Sequence, residues 1–220
     1  MSKVLDRVAD AGGILHVLLV FGGFAFLVAP YLPESLDSPG AVMAHLESHP
    51  PTTAFWAGIW LEGAGLLALV LLAARVASRI RIARPGWWVP SAVVGLAIAG
   101  VTVKVASFAP GLAALEIDRL DATTVTALLG INDASVAVAA ALDGTFVLLL
   151  GLGLLATAAL PRWLSAFTAV AGAGLLLATA APALDLLSLL FYVWALTVSG
   201  WLLARGSRAP VATPAPAFAD

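Results

Sequence analysis

Glu62, Lys104 and Asp143 are ionisable side chains set inside long apolar stretches: "WLEGAGLLALVLLAA", "VVGLAIAGVTVKVASFAP" and "AALDGTFVLLLGLGLL". An ionised group at the centre of a bilayer costs about 2.5–3.5 kcal/mol on insertion scales, so such groups turn inward and pair. At about 1.5 Å per helical residue, Lys104 lies roughly 25 Å above Trp87, Asp143 reaches a similar height counted from Leu160, and Glu62 stands roughly 20 Å above Arg75. The three therefore share the outer half of a bundle, two acids to one base. Lys104 can pair with Glu62 or with Asp143, which leaves one carboxyl over, and a spare carboxyl is what a proton-coupled site or a cation pocket uses. Structural readings stand beside this one. Lys104 lies about four residues from the outer end of its stretch and can snorkel to the interface. Glu62 can be a neutral, hydrogen-bonded carboxyl between helices, and Asp143 a polar helix–helix contact. Asp185, at the outer rim, and His16, in the inner half of the first apolar run, are weaker binding candidates.

His45 and His49, in "HLESH", fall four residues apart on one helical face with Glu47 nearby. Zinc can take two histidines and a carboxylate, but two histidines alone are a thin ligand set, and no metal is expected. The segment also lacks the glutamate of the H-E-x-x-H protease motif. A haem between two histidines needs both at one depth on facing helices, a pairing His16, His45 and His49 do not offer, so no cofactor is expected. The "GLG" at 151–153 lies in an apolar run and follows no strand, so it is not a dinucleotide fingerprint. A retinal-type lysine would belong to the last of seven spans, not the third of six.

The elements that must position these groups are transmembrane helices. The chain is 61% hydrophobic and 11% charged, with mean hydropathy +1.02. Soluble domains carry about 25% charged residues. Without cysteine there is no disulfide and no thiolate chemistry. Lysine occurs only at Lys3 and Lys104 while Arg, Ala, Gly and Pro abound, the coding bias of a GC-rich bacterial genome. Six segments approach or exceed the roughly 20 apolar residues that a bilayer demands. They cover about 11–30, 53–74, 87–109, 134–158, 162–181 and 184–204, one domain over 1–208. The first is longer than a signal-peptide core, and Asp6 and Asp10 dilute its charged start, so it reads as a retained span. The predicted fold is all-α, a polytopic bundle of six transmembrane helices.

Lys3, Arg7, Arg75, Arg79, Arg81, Arg84, Arg162, Arg205 and Arg208 all fall on one set of loops, and Arg119 alone on the other. The positive-inside rule then places both termini in the cytoplasm. In the outer loops, Ser38 with Pro39 predicts a capped short helix, and Asp121 a second one ended by Gly130, after which Asn132 or Asp133 caps the fourth span. Tryptophans gather near both boundaries. The Pro/Ala-rich 209–220 reads as a disordered tail. Small residues in "GLGLLATAA" and "AVAGAG" allow close helix contacts in lipid. Spans two and four both show Leu–acid–Gly, an apolar stretch, and then Pro-x-Trp, a hint of duplication.

The segments "ALDGTFVLLLGLGLL" and "LPRWLSAFTAVAGAG", with a short polar outer loop after span one, resemble a diffuse group of uncharacterised actinobacterial-type integral membrane proteins, domains of unknown function. That resemblance implies a six-helix bundle in the bacterial inner membrane and supplies no activity. From the residues, the reading is a small binding or transport bundle with a polar outer-half site. The alternative is a non-catalytic subunit of a larger membrane complex. A lipid-acting enzyme would need a histidine–carboxylate cluster at one depth, which the sequence lacks, so the reading leans away from an enzyme. The surroundings are the lipid bilayer, with membrane proteins or further copies of the chain as partners and no nucleic acid.

Overall fold

The computed structural model describes residues 2–205; the expected tail at 209–220 lies outside them. Among the described residues, eight helices follow one another: α1 (Ser2–Asp10), α2 (Gly12–Tyr31), α3 (Pro39–Ser48), α4 (Thr53–Ala83), α5 (Val89–Ala113), α6 (Ala122–Thr157), α7 (Arg162–Ala180) and α8 (Leu189–Arg205). The 3-10 segment Pro182–Ser188 leads into α8. Six are long and apolar enough to cross a membrane, α8 counting together with its lead-in from Ala183. The chain is built as an all-α, multi-pass membrane protein. Trp60 (78% exposed) and Leu186 (80% exposed) project from the bundle, where lipid tails would meet them.

Local chemistry sets the helix starts. Ser38 accepts a hydrogen bond from the Ala41 N–H at 3.4 Å, with Pro39 in the first helical position. Thr52 and Asp121 cap α4 and α6 in the same way, through Phe55 and Thr124. The predicted break after Gly130 does not occur: α6 runs unbroken from Ala122 to Thr157. Asn132 does not cap, because its side-chain amide donates to the Ser107 carbonyl of α5 at 2.8 Å. An interior glycine costs a helix only about 1 kcal/mol, too little to end one braced on its neighbour. Helix α4 outruns its predicted span, carrying Arg75, Arg79 and Arg81 on turns beyond the apolar stretch. In α2, residues Phe21–Val28 wind as a π-helix between an α-helical start and a 3-10 finish.

Helix α6 packs along both α5 and α7, and α2 lies against α4 and α8. The α6–α7 contact is a backbone contact. A Cβ on Gly172 would run into the Leu148 backbone, and one on Gly151 into that of Ala169, so hydrogen there lets the helices meet. At the arginine-rich end, the Arg75 guanidinium binds Asp10 at 2.7 Å and Asp6 at 3.1 Å, tying α1 to α4. Asp6 and Asp10 are thus partners of α4 and more than a dilution of the N-terminal charge.

Two apolar cores result. The larger joins Leu69, Leu72, Val76 and Ile80 of α4 to Val93 of α5, Phe146, Leu150 and Leu154 of α6, Leu164 of α7 and Trp194 of α8. The smaller, at the other end, joins Val42 and Leu46 of α3 to Ala114, Val125 and Leu129. Along α5 and α6 the polar residues Lys104 and Asp143 fall between the two cores, and on α4 Glu62 precedes the larger one.

Candidate functional site

Glu62 and Lys104 come together from α4 and α5. Lys104 Nζ lies 3.2 Å from Glu62 Oε1, with the glutamate side chain 3% exposed and the lysine 18%. Of the two partners open to Lys104, Glu62 is the one in direct contact. The ammonium also sits 5.7 Å from the Phe24 ring centroid and 5.9 Å from that of Phe108, within cation–π range. Lys104, Ser107 and Phe108 share a helix face, and the Ser107 hydroxyl donates to the Lys104 carbonyl at 2.7 Å. Through Asn132, α6 is fastened to this same turn of α5.

Asp143 projects from α6 toward Gly100 of α5, where no side chain obstructs it. A Cβ on Gly100 would stand 2.6 Å from Asp143 Oδ1, so glycine makes the space for the carboxylate. That oxygen is buried and has no hydrogen-bond partner. Buried polar atoms without partners are rare, because each forfeits its hydration with nothing in return. His16 of α2 presents a second such atom. Its Nδ1 lies 3.0 Å from the Gly65 carbonyl, and its Nε2 is buried and unpartnered. The ring is held edge-on to Phe191 at 5.7 Å and parallel to Tyr192 at 6.2 Å.

These groups line one cavity of about 310 Å³, which takes in His16, Glu62, Lys104, Asp133, Asp143 and Tyr192. A second cavity of about 110 Å³ adjoins it and shares Glu62, Lys104, Asn132 and Asp133 in its wall. Its remaining lining is mostly apolar and aromatic, including Phe24, Phe55, Ile59, Phe108 and Leu112. Phe24 belongs to both cavities and lies in the π-helical stretch of α2, a local widening often found at binding sites. The two Leu–acid–Gly motifs thus deliver both acids, Glu62 and Asp143, to the same space.

Not every sequence candidate belongs there. Asp185 is exposed on the 3-10 segment and lines neither cavity. His45 and His49 stack with ring centroids 4.3 Å apart, and His49 Nδ1 donates to the His45 carbonyl at 3.0 Å. Among the described residues, no three His, Cys, Asp or Glu side chains are grouped to hold a metal. Sequence reasoning missed Tyr192, Asn132 and Asp133. Tyr192 carried a signal, since a tyrosine deep in an apolar span needs a polar neighbour or a wet cavity. Asn132 and Asp133 were hidden by the expectation that they cap a helix.

The cavity wall thus counts three acidic residues, Glu62, Asp133 and Asp143, against one lysine, Lys104, and also includes His16. The lining can therefore accept positive charge and hydrogen-bond donors. No family model, curated protein or solved structure matches the chain.

Proposed function

We propose that the protein is a bacterial inner-membrane bundle that binds, and by alternating access transports, a small cationic compound with an apolar body. The observation that carries this reading is Asp143. Its Oδ1 is buried without a partner while the nearest ammonium, Lys104, is already engaged by Glu62. A cation entering the cavity gives that carboxylate a counter-charge. The volume of about 310 Å³ falls at the small end of ligand pockets, which run from about 300 to 1,000 Å³.

The arginine-rich loops support termini in the cytoplasm and a cavity reached from the outer side. Toward the arginines, the packed core of Leu69, Leu72, Phe146 and Trp194 fills the bundle, so transport requires the helices to rock and open that side. The test is calorimetric titration of 2-phenylethylammonium into the protein in lipid nanodiscs, with neutral 2-phenylethanol as control. A hydrogen bond to a charged group contributes about 1.5–3 kcal/mol, so Asp143→Asn should weaken the ammonium about 10- to 100-fold and leave the alcohol unchanged. Equal affinity of the ammonium for wild type and Asp143→Asn would overturn the reading.

A further inference from the structure

Helix α1 is amphipathic, and its polar side is the one turned to the bundle. At about 100° per residue, Val4, Leu5 and Val8 share one arc of the helix, while Lys3, Asp6, Arg7 and Asp10 occupy the opposite side. Asp10 is buried and accepts from Arg75 Nε at 2.7 Å, and Asp6 reaches the same guanidinium at 3.1 Å. The apolar arc stays open: Val4 is 67% exposed and Leu5 63%, with Val8 exposed as well. In water this orientation forfeits the burial that an apolar face normally supplies. At the edge of a bilayer it is the favourable one, because the open arc then lies among acyl chains.

The charges on this helix indicate which lipid. Lys3 and Arg7 are exposed and stand four residues apart, and neither has an ion-pair partner among the described residues. Like charges at that spacing repel, and an anion beside them relieves the repulsion. The acids of α1, Asp6 and Asp10, are both engaged by Arg75. More positive charge lies close by. The Gly13 N–H donates to Ser199 Oγ at 2.8 Å, so the residues before it run toward the Trp201–Arg205 end of α8, against which α1 packs. There the guanidiniums of Arg79 and Arg205 lie 5.5 and 5.7 Å from the centroid of the Trp201 ring. We infer that α1 is an interfacial helix that binds an anionic phospholipid: the phosphate is drawn to Lys3 and Arg7, and an acyl chain lies along Val4, Leu5 and Val8. Arg79 and Arg205 strengthen the attraction through their charge alone, with no contact to the phosphate required. A zwitterionic lipid brings its own ammonium and loses most of that attraction.

The chain has no cysteine, so Leu5→Cys accepts a single fluorophore on the apolar arc. The labelled full chain is placed in nanodiscs of equal parts phosphatidylcholine and phosphatidylglycerol, with quenching bromines on the acyl chains of one lipid at a time. Each cationic side chain at an anionic lipid surface contributes about fivefold in affinity. Bromines on phosphatidylglycerol should therefore quench as if that lipid were enriched at least about fivefold beside the label. Adding Lys3→Gln and Arg7→Gln together should bring the two quenching curves into line, whereas Arg119→Gln, at the other end of the bundle, should leave the preference intact. Equal quenching by the two lipids before those changes would overturn the selection of anionic head groups. No quenching by either lipid would overturn the lipid contact itself. Excimer emission from a pyrene label at the same position would overturn it too, by showing that a second copy of the chain covers this face.

Discussion

Replacing Lys104 by methionine would leave the Glu62 carboxylate, 3% exposed, without the ammonium that now stands 3.2 Å away. At that separation two unit charges attract by about 5 kcal/mol at an effective dielectric of about 20. Desolvation of both groups offsets much of this, yet removing one partner of a buried pair still costs about 3–5 kcal/mol, because the survivor stays buried. The Lys104 side chain keeps 18% of its surface exposed, which puts Lys104→Met at the lower end, about 3 kcal/mol. The reverse change is milder. In Glu62→Gln the ammonium keeps its cavity exposure, the faces of Phe24 and Phe108, and Asp143 in the same cavity wall. A loss of about 1 kcal/mol is expected. The double variant removes both charges and should recover at least about 1 kcal/mol relative to Lys104→Met alone. Reversible unfolding by SDS in mixed micelles, read by tryptophan fluorescence, measures all four proteins. If Lys104→Met lies within about 0.5 kcal/mol of wild type, the lysine is snorkelling and the ion pair does not hold the bundle.

Three further outcomes are expected. Gly172→Leu drives a side chain into the Leu148 backbone and should destabilise the bundle by about 1–3 kcal/mol, whereas Gly130→Ala, which meets nothing, should be neutral or slightly stabilising in the same unfolding assay. Trp194→Phe removes the indole N–H that donates to Thr168 Oγ1 at 3.1 Å and opens space in the larger core, a loss of about 1–3 kcal/mol with a lower unfolding midpoint. Asp121 is held below the usual carboxylate range, first by the Thr124 backbone N–H and then by its hydroxyl. A lowered folded-state value makes its cap fully present above the unfolded value of about 3.9 and lost as pH falls through the folded one. Hydrogen exchange at the Thr124 amide should therefore lose protection on acidification below about pH 4, and Asp121→Ala should abolish that pH dependence.

The apolar stretches, the caps at Ser38 and Asp121 and the loop arginines are local or one-dimensional features. Bilayer thickness and capping chemistry turn such features directly into helices, so the six crossings were legible in the sequence to within a few residues, except where α4 and α6 extend past their apolar stretch. That Glu62, Lys104 and Asp143 fall close together along the bundle was legible too, because rise per residue converts sequence distance into position along a helix. Rotation about each helix axis and the choice of neighbours were not, since nearly every face of these helices is apolar and no stripe announces which side meets which. Only packing decided that Lys104 binds Glu62, that Gly100 makes room for Asp143, and that Asn132 ties α6 to α5 instead of capping the start of a helix. The same packing brought His16 and Tyr192 to the cavity and kept Asp185 out. Composition determined the medium and the number of crossings, a matter of solvation summed along the chain; the tertiary structure decided which polar atoms meet and which stay without partners, a matter of close contact among side chains far apart in sequence.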